Sequence, residues 1–383
     1  MAGVPGSSFT EKVFGSDKII RVGVVGAGEV AQTTHLPTLG LLSHLFQVVA
    51  LCDVSPKQLD HCASKFHIGK DDLYTESSEL VKRDDVDLVL VIASDEYHAS
   101  VAIQAADAGK HVFIEKPMTL TVDDAERVIS AQKRNNIIIW VGYMRRYAKA
   151  FVEAVKIVRS MKKIEYARVR DIIGYNHLFV NQSGFFPVRF ADLSAAAKED
   201  FASRSEAAAE ASLGPERASN RAAVSSWRLL CSLGSHDFSA MRELLGPPKR
   251  VLGAGGHDTW ITALFDYGDF VATYETGHDS VGSFDAHLEV YGDGKRVRVE
   301  YDTPYVKGLP ITLTVAESDQ SGAYIERVIR PTYEDCYTLQ YEALHSAIAG
   351  NGPVKCSPED AVQELRTIGL VIDALYPKRM IAE

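Results

Sequence analysis

Short runs of apolar residues alternate with amphipathic segments through the first 145 residues of the chain. The first run, IIRVGVV at 19–25, is β-branched and almost continuously apolar, which is typical of a strand buried on both faces. Segments with helical spacing separate this run from similar ones further along. The other predicted strands are 48–52, 88–93, 111–114 and 137–141, with helices at 55–66, from about 97 to 108, and after Thr121. Such alternation predicts an α/β fold with a doubly wound parallel sheet.

The pattern changes near residue 145. Residues 164–173 alternate between polar and apolar side chains, and several later runs do the same between glycine-containing turns. These features predict a second α/β domain with an open, mainly antiparallel sheet. Its alternating runs are 251–253, 259–265, 271–275, 287–291 and 296–301, and its helices are 235–245, 334–349 and 358–374. The predicted division is therefore an N-terminal extension at 1–18, a first domain at 19–145 and a second domain at 146–383. Within the second domain, 194–223 reads as a solvated helix-and-loop insertion rich in Ala, Ser and Glu.

Composition narrows the possible functions. The 383 residues are 46% hydrophobic and carry a net charge of -10, which allows a sizeable core and argues against a nucleic-acid or anionic-membrane surface. The five cysteines form no CxxC pair, the histidines are dispersed, and no 18-residue apolar stretch or secretory signal is present. We therefore expect a cytoplasmic protein without a metal site, a membrane partner or a nucleic-acid partner.

A glycine-rich turn follows the first predicted strand. In Gly26-Ala27-Gly28-Glu29-Val30-Ala31 the first glycine permits a tight turn, and the second lets the backbone approach a pyrophosphate at the start of a helix. Asp53 ends the second predicted strand, where an acid can accept hydrogen bonds from the hydroxyls of an adenosine ribose. Because that carboxylate would repel a 2'-phosphate and no arginine follows in residues 54–56, NAD is favoured over NADP.

These features occur together with further motifs. The additional segments are HLP at 35–37, SDEYH at 94–98, GKHV at 109–112, EKP at 115–117 and GYMRRY at 142–147. In this order and spacing the first domain resembles the Gfo/Idh/MocA family of oxidoreductases, which includes glucose–fructose oxidoreductase and inositol 2-dehydrogenase. The resemblance implies a Rossmann domain that binds NAD, followed by a domain for substrate binding and oligomerisation.

The family resemblance assigns roles to several first-domain residues. It places Lys116, of the Glu-Lys-Pro motif, beside the nicotinamide and the reacting carbon, where a lysine can exchange a proton with a substrate hydroxyl. Glu115 would orient or neutralise that lysine. Ser94 and His98 correspond to the family loop beside the nicotinamide ribose, although this chain has Ser94-Asp95 where Thr-Pro is frequent.

The second half resembles the family over residues 227–245. Trp227 opens this segment, and His236 aligns with the active-site histidine, which can hold or donate the proton of a substrate oxygen. Many family members carry an aspartate four residues before this histidine, but here that position is Ser232, so Asp237 is the remaining acid of the segment. Further candidates to face the substrate are Tyr143 and Arg145, since an arginine can grip a carboxylate or phosphate.

The resemblance therefore implies an NAD(H)-dependent oxidoreductase acting on a secondary alcohol or ketone of a sugar, cyclitol or related hydroxylated ring. We expect a small polyol-like substrate and a homodimer or homotetramer. Two alternatives remain open at this point. One is a family member that acts on trans-dihydrodiols or on ketones or imines of secondary metabolism. The other is a non-catalytic NAD-binding regulator.

Overall fold

The computed structural model describes residues 18–257 and 259–377. Six parallel strands form the first sheet, in the order β3-β2-β1-β4-β5-β6. Their bounds are β1 Ile20–Val25, β2 Phe46–Cys52, β3 Leu73–Tyr74, β4 Leu88–Val91, β5 His111–Ile114 and β6 Ile139–Val141. All four residues of β4 are buried, as expected for a strand covered on both faces. This is the doubly wound Rossmann order, which confirms the parallel sheet expected from the sequence.

Helices cover both faces of this sheet. The helix after β1 opens at Glu29 and Val30, passes through a π-helical turn, Ala31–His35, and continues as α1. The first-domain helices are α1 Leu36–Leu41, α2 Pro56–Phe66, α3 Ser77–Leu80, α4 His98–Asp107 and α5 Val122–Asn135. Two predicted starts have side-chain caps: Ser55 accepts from the Gln58 amide, and Thr121 accepts from the Asp124 amide.

An eight-stranded sheet dominates the second part of the chain. Its order is β14-β13-β12-β11-β7-β10-β9-β8, and every neighbouring pair is antiparallel except β7 with β10. The strands are β7 Ile164–Gly174, β8 Arg250–His257, β9 Trp260–Asp266, β10 Val271–Asp279, β11 Phe284–Gly292, β12 Lys295–Tyr301, β13 Thr312–Ser318 and β14 Tyr324–Ile329. The mainly antiparallel sheet is thus confirmed, and β13 and β14 extend it beyond the runs recognised in the sequence.

Some of the remaining helices contact strands of the large sheet, and others pack against the first domain. They are α6 Lys149–Arg159, α7 Asn176–Val180, α8 Ala195–Leu213, α9 Pro215–Ala218, α10 Arg221–Leu229, α11 Ser235–Leu245, α12 Cys336–Ile348 and α13 Pro358–Leu375. A π-helical turn, Leu230–Gly234, joins α10 to α11. Helix α8 occupies the Ala-rich segment and is mostly exposed, with Ala209 and Leu213 as its buried residues.

Two hydrophobic cores organise the chain. The first surrounds the parallel sheet, and Leu339, Tyr341 and Leu344 of α12 belong to it. The second lies between the large sheet and its helices. Helix α13 contributes to both cores, with Val362 in the first and Val371 in the second. The C-terminal helices therefore pack against both parts of the chain and connect the two cores.

The predicted N-terminal extension at 1–18 lies outside the described residues apart from Lys18. Across the described ranges, none of the helices combines the length and apolar character that crossing a membrane requires.

Candidate active site

The turn after β1 requires glycine at its first position. Gly26 has φ +105°, and a Cβ there would lie 2.5 Å from the backbone of Ile92 and Ala93. Gly28 differs, because a Cβ there would meet no described atom within 4 Å. Open space thus lies over Gly28 at the start of the helix that Glu29 and Val30 open. A pyrophosphate fits this position, since the helix N-terminus provides free N–H groups and a partial positive charge.

Asp53 braces the same turn. One carboxylate oxygen accepts from the Ala27 amide at 2.8 Å, and the other accepts from the Ser55 amide at 2.9 Å. Burial raises the pKa of Asp53, and the negative charge of Asp192 raises it further. The two backbone hydrogen bonds act in the opposite direction and limit the rise. A carboxylate has about four lone-pair sites, so Asp53 retains acceptor capacity for ribose hydroxyls.

The loop after β4 contains the other two predicted cofactor residues. Ser94 is exposed at the carboxyl end of the strand. His98 is buried, with Nδ1 2.8 Å from the Pro117 carbonyl oxygen and Nε2 3.0 Å from the Ala93 carbonyl oxygen. The ring of His98 therefore links two loops at the edge of the sheet and offers no free nitrogen to a cofactor.

Glu115 is buried behind Lys116 rather than paired with its ammonium group. Glu115 Oε2 accepts from the Lys116 amide at 3.0 Å, and Oε1 lies 3.2 Å from His35 Nε2. His35 Nδ1 is 2.7 Å from the hydroxyl of Tyr341 on α12. Burial acts to raise the pKa of Glu115, but His35 and Lys116 outweigh it and the pKa is lowered. Glu115 thus fixes the backbone of the motif from which the Lys116 side chain projects.

Lys116 meets the second domain directly. Its Nζ donates to the Ser232 carbonyl at 2.9 Å, in the π-helical turn that precedes α11. Both Lys116 and His236 are partly exposed. Burial, together with the positive charges of Lys116 and Arg145, lowers the pKa of His236 well below its usual value. The ring is therefore neutral at pH 7. The structure thus brings together Lys116, Ser232 and His236 at the carboxyl edge of the parallel sheet.

Arg145 and Asp237 occupy a different position from the one expected of substrate residues. Arg145 contacts Asp237 Oδ1 at 2.7 Å and Asp171 Oδ2 at 2.9 Å, and the three residues are at most 4% exposed. Burial and the neighbouring Asp171 raise the pKa of Asp237 well above its usual value, although Arg145 opposes the shift. The charged groups of this buried cluster are directed at one another and have almost no surface available to a substrate.

Tyr143 and Trp227 are also buried, at 1% and 2% exposure. The Tyr143 ring lies between the guanidinium groups of Arg146 and Arg242, at 6.0 and 5.8 Å, and the Trp227 ring lies 4.8 Å from the Arg228 guanidinium. Both aromatic residues serve as packing elements around the site, and the structure gives them no open surface toward a substrate.

A carboxyl group that the sequence did not reveal lies on α13. Glu364 is 1% exposed, and its Oε2 has no hydrogen-bond partner among the described residues. Burial raises the pKa of Glu364 to about 8, although Arg242, Tyr143 and Lys116 oppose the rise. No local motif marks this glutamate, which looks like an ordinary position in an amphipathic helix.

The parallel sheet with its glycine turn has the arrangement of dinucleotide-binding Rossmann domains. Residues 20–143 match the family model for Gfo/Idh/MocA proteins, described as "Oxidoreductase family, NAD-binding Rossmann fold". The match covers the residues of the parallel sheet and about a third of the chain.

Relatives with assigned names include inositol dehydrogenases. The inositol 2-dehydrogenase of Salmonella typhimurium is 36% identical over 142 residues, which cover 37% of this chain and 42% of that protein. The myo-inositol 2-dehydrogenase of Thermotoga maritima is 24% identical over 359 residues, or 90% of this chain and 93% of that protein. The stronger likeness thus spans less than half of the Salmonella enzyme, and the full-length likeness is weaker.

Solved structures share the whole architecture. An aldose-aldose oxidoreductase from Caulobacter crescentus, complexed with glycerol, superposes with a TM-score of 0.68 at 20% identity. The match covers 93% of this chain and 97% of that chain. A 3-ketoreductase from Actinomadura kijaniata, in complex with TDP-benzene and NADP, also gives 0.68 at 18% identity and covers 94% and 98%. At these identities the likeness shows the fold.

Proposed function

We propose that this protein is an NAD(H)-dependent oxidoreductase that interconverts a secondary alcohol and a ketone on a sugar, cyclitol or related hydroxylated ring. The observation that carries the proposal is the position of Lys116. Its Nζ is held 2.9 Å from the Ser232 carbonyl, beside His236, at the carboxyl edge of a dinucleotide-type sheet. Ligands of doubly wound sheets bind at that edge. The inositol and aldose oxidoreductases among the relatives support the substrate class.

The residues around the glycine turn fit a dinucleotide. Gly26 allows the close approach of β1 and the loop after β4, the space over Gly28 accepts a pyrophosphate, and Asp53 accepts hydrogen bonds from the ribose. A bound nicotinamide would supply hydride transfer. The helix that follows Asp53, α2, contains no arginine that could bind a 2'-phosphate, which supports NAD.

The protein residues would manage the proton of the substrate hydroxyl. Lys116 projects into the cleft while the Ser232 carbonyl orients its Nζ, so a substrate hydroxyl placed there can exchange a proton with it. His236 is neutral at pH 7 and can hold the same oxygen by a hydrogen bond. Glu364, with a pKa of about 8, is mainly protonated at pH 7, so its carboxyl can donate a hydrogen bond but does not balance the charge of Lys116.

Nucleotide binding and turnover test the proposal separately. NADH binding is measured by fluorescence, and turnover by absorbance of the reduced nicotinamide across a panel of cyclitols and sugars. We expect Lys116→Ala to bind NADH normally and to lose turnover ~10²-fold or more. The matched control is Lys82→Ala, which removes an exposed lysine paired with Glu79. Near-normal turnover in Lys116→Ala would contradict the assignment, and NADH binding without turnover on any substrate would favour a regulator.

We also propose that the chain forms a homodimer or homotetramer through the outer face of the large sheet. That face carries partly buried side chains, including Tyr166 and Tyr291, whose rings lie 5.7 Å apart, and Arg168, which pairs with Glu275. Light scattering after gel filtration gives the mass directly. A monomer at micromolar concentration would contradict this part of the proposal.

A further inference from the structure

A segment of the second half of the chain crosses back over the first domain. We define the strap as residues 181–194, between α7 and α8. The amide of the Gln32 side chain forms two hydrogen bonds with the Val188 backbone, at 2.9 and 3.0 Å. Lys65 Nζ donates to the Phe185 carbonyl, and Arg189 pairs with Glu29 at 2.9 Å. The strap is therefore attached to the helix that follows the glycine turn and to α2.

The far end of the strap places Asp192 at the N-terminus of α2. Asp192 Oδ1 accepts from the Ser55 hydroxyl at 2.5 Å, and Oδ2 accepts from the Lys57 amide at 3.1 Å. Asp53 accepts from the Ser55 amide at 2.9 Å, so two carboxylates converge on Ser55. The Ser55 hydrogen bond lowers the pKa of Asp192, which keeps this carboxyl ionised at neutral pH. The Asp192 charge in turn contributes to raising the pKa of Asp53.

These contacts use the groups that a phosphorylated ribose would need. An acid at the end of the second strand binds the ribose 2'-hydroxyl in Rossmann domains, so the 2' position lies beside Asp53. A phosphate at that position would accept hydrogen bonds from hydroxyl and amide donors and would be stabilised by a helix N-terminus. The Ser55 hydroxyl and the first turn of α2 provide these donors, but the Asp192 carboxylate already accepts from them.

We propose that Asp192 is a cofactor-specificity residue, which rejects NADP by holding a carboxylate where the 2'-phosphate would bind. This inference rests on the proposed function, because it presumes that a nicotinamide dinucleotide occupies the glycine turn. Cofactor selectivity would then involve two acids, Asp53 and Asp192. Asp192 belongs to the second domain and lies 139 positions after Asp53 in the sequence. Selectivity against NADP would then depend on the strap as well as on the Rossmann domain.

The test uses nucleotides that differ only at the 2' position. Affinities for NADH and NADPH are measured by fluorescence, and for AMP and adenosine 2',5'-bisphosphate by calorimetry, on the full chain. We expect Asp192→Asn to tighten binding of NADPH and of the bisphosphate by ~10-fold or more at low salt, while NADH and AMP affinities stay within about 3-fold. The matched control is Glu199→Gln, which removes the same charge from an exposed position on α8.

The outcomes separate this inference from the proposed function. If the wild type prefers NADH and Asp192→Asn keeps the same NADH-to-NADPH ratio, Asp53 alone accounts for selectivity and the inference is wrong. An equal gain in the Glu199→Gln control would also overturn it, because net charge would then explain the change. A wild-type chain that binds NADPH more tightly than NADH overturns it while leaving an oxidoreductase. A chain that binds no nicotinamide nucleotide overturns the proposed function and this inference together.

Discussion

The two sides of the proposed active site are built in different ways. The cofactor side uses a short stretch of chain, from Gly26 to Asp53, which runs from the end of β1 through the following helix and β2. The substrate side brings together Lys116 from the loop after β5, Ser232 from the π-helical turn before α11 and His236 from the start of α11. The first side is defined by backbone conformation and the second by long-range packing.

Charge is also handled differently on the two sides. The cofactor side keeps open space and helix N–H groups available to an anion. Close to His236 in the sequence, Asp237 instead contacts Arg145, which also contacts Asp171, in a buried cluster. Charged residues that lie close in sequence to a proposed active site can thus stabilise the fold rather than contact a ligand. Polar groups that have no partner within the fold are the better candidates to bind one.

Arg145→Met should produce the largest effect, because it leaves two buried carboxylates without their cation. We expect the free energy of unfolding to fall by about 3–5 kcal/mol at pH 7, measured by urea denaturation. Part of the loss should be recovered at lower pH, since burial and Asp171 raise the pKa of Asp237 and favour its protonation. The control Arg127→Met, which breaks an exposed pair with Asp124, should cost less than about 0.5 kcal/mol. Unchanged stability with lost turnover would instead make Arg145 a substrate residue.

A pair of glycine substitutions tests the cofactor side. Gly26→Ala should lower the free energy of unfolding by at least ~2 kcal/mol, because φ is +105° and the new Cβ collides with backbone. Gly28→Ala should change stability by less than about 1 kcal/mol but weaken NADH binding ~10-fold or more, because its Cβ enters the pyrophosphate space. Thermal unfolding and NADH fluorescence measure the two effects. Normal NADH affinity in Gly28→Ala would show that the pyrophosphate lies elsewhere.

Glu364→Gln should have the smallest effect, and its signature is pH dependence. The folded-state pKa of about 8 lies above the unfolded value near 4.5, so the folded protein retains a proton that the unfolded chain has lost. The contribution of Glu364 to stability is thus fully present below about pH 4.5 and is lost as the pH rises toward 8. We expect the variant to gain stability relative to the wild type over that interval, by at least ~1 kcal/mol at pH 9. Parallel stability curves for the two proteins would contradict a raised pKa.

Much of the first domain followed from local sequence. The strand 111–114 was predicted with the bounds that the structure shows, and Ser55 and Thr121 cap the helices they were expected to begin. In the second domain, β13 and β14 were not predicted. Strand β14 lies at the edge of the sheet and is exposed, so its side chains do not alternate between buried and exposed positions. Helix α6 was missed as well, although its apolar face packs in the second core.

Local sequence was sufficient to predict the Rossmann unit, the glycine turn, Asp53 and the motif that carries Lys116, because each depends on neighbours within a few residues or on consecutive strands and helices. The folded chain was needed to show that His35 contacts Glu115 and Tyr341, that Arg145 is buried between two aspartates, and that Asp192 reaches α2. These contacts join residues separated by up to 306 positions. Local propensity carries no information about such distances, so the cofactor half could be inferred from the sequence and the substrate half required the packed chain.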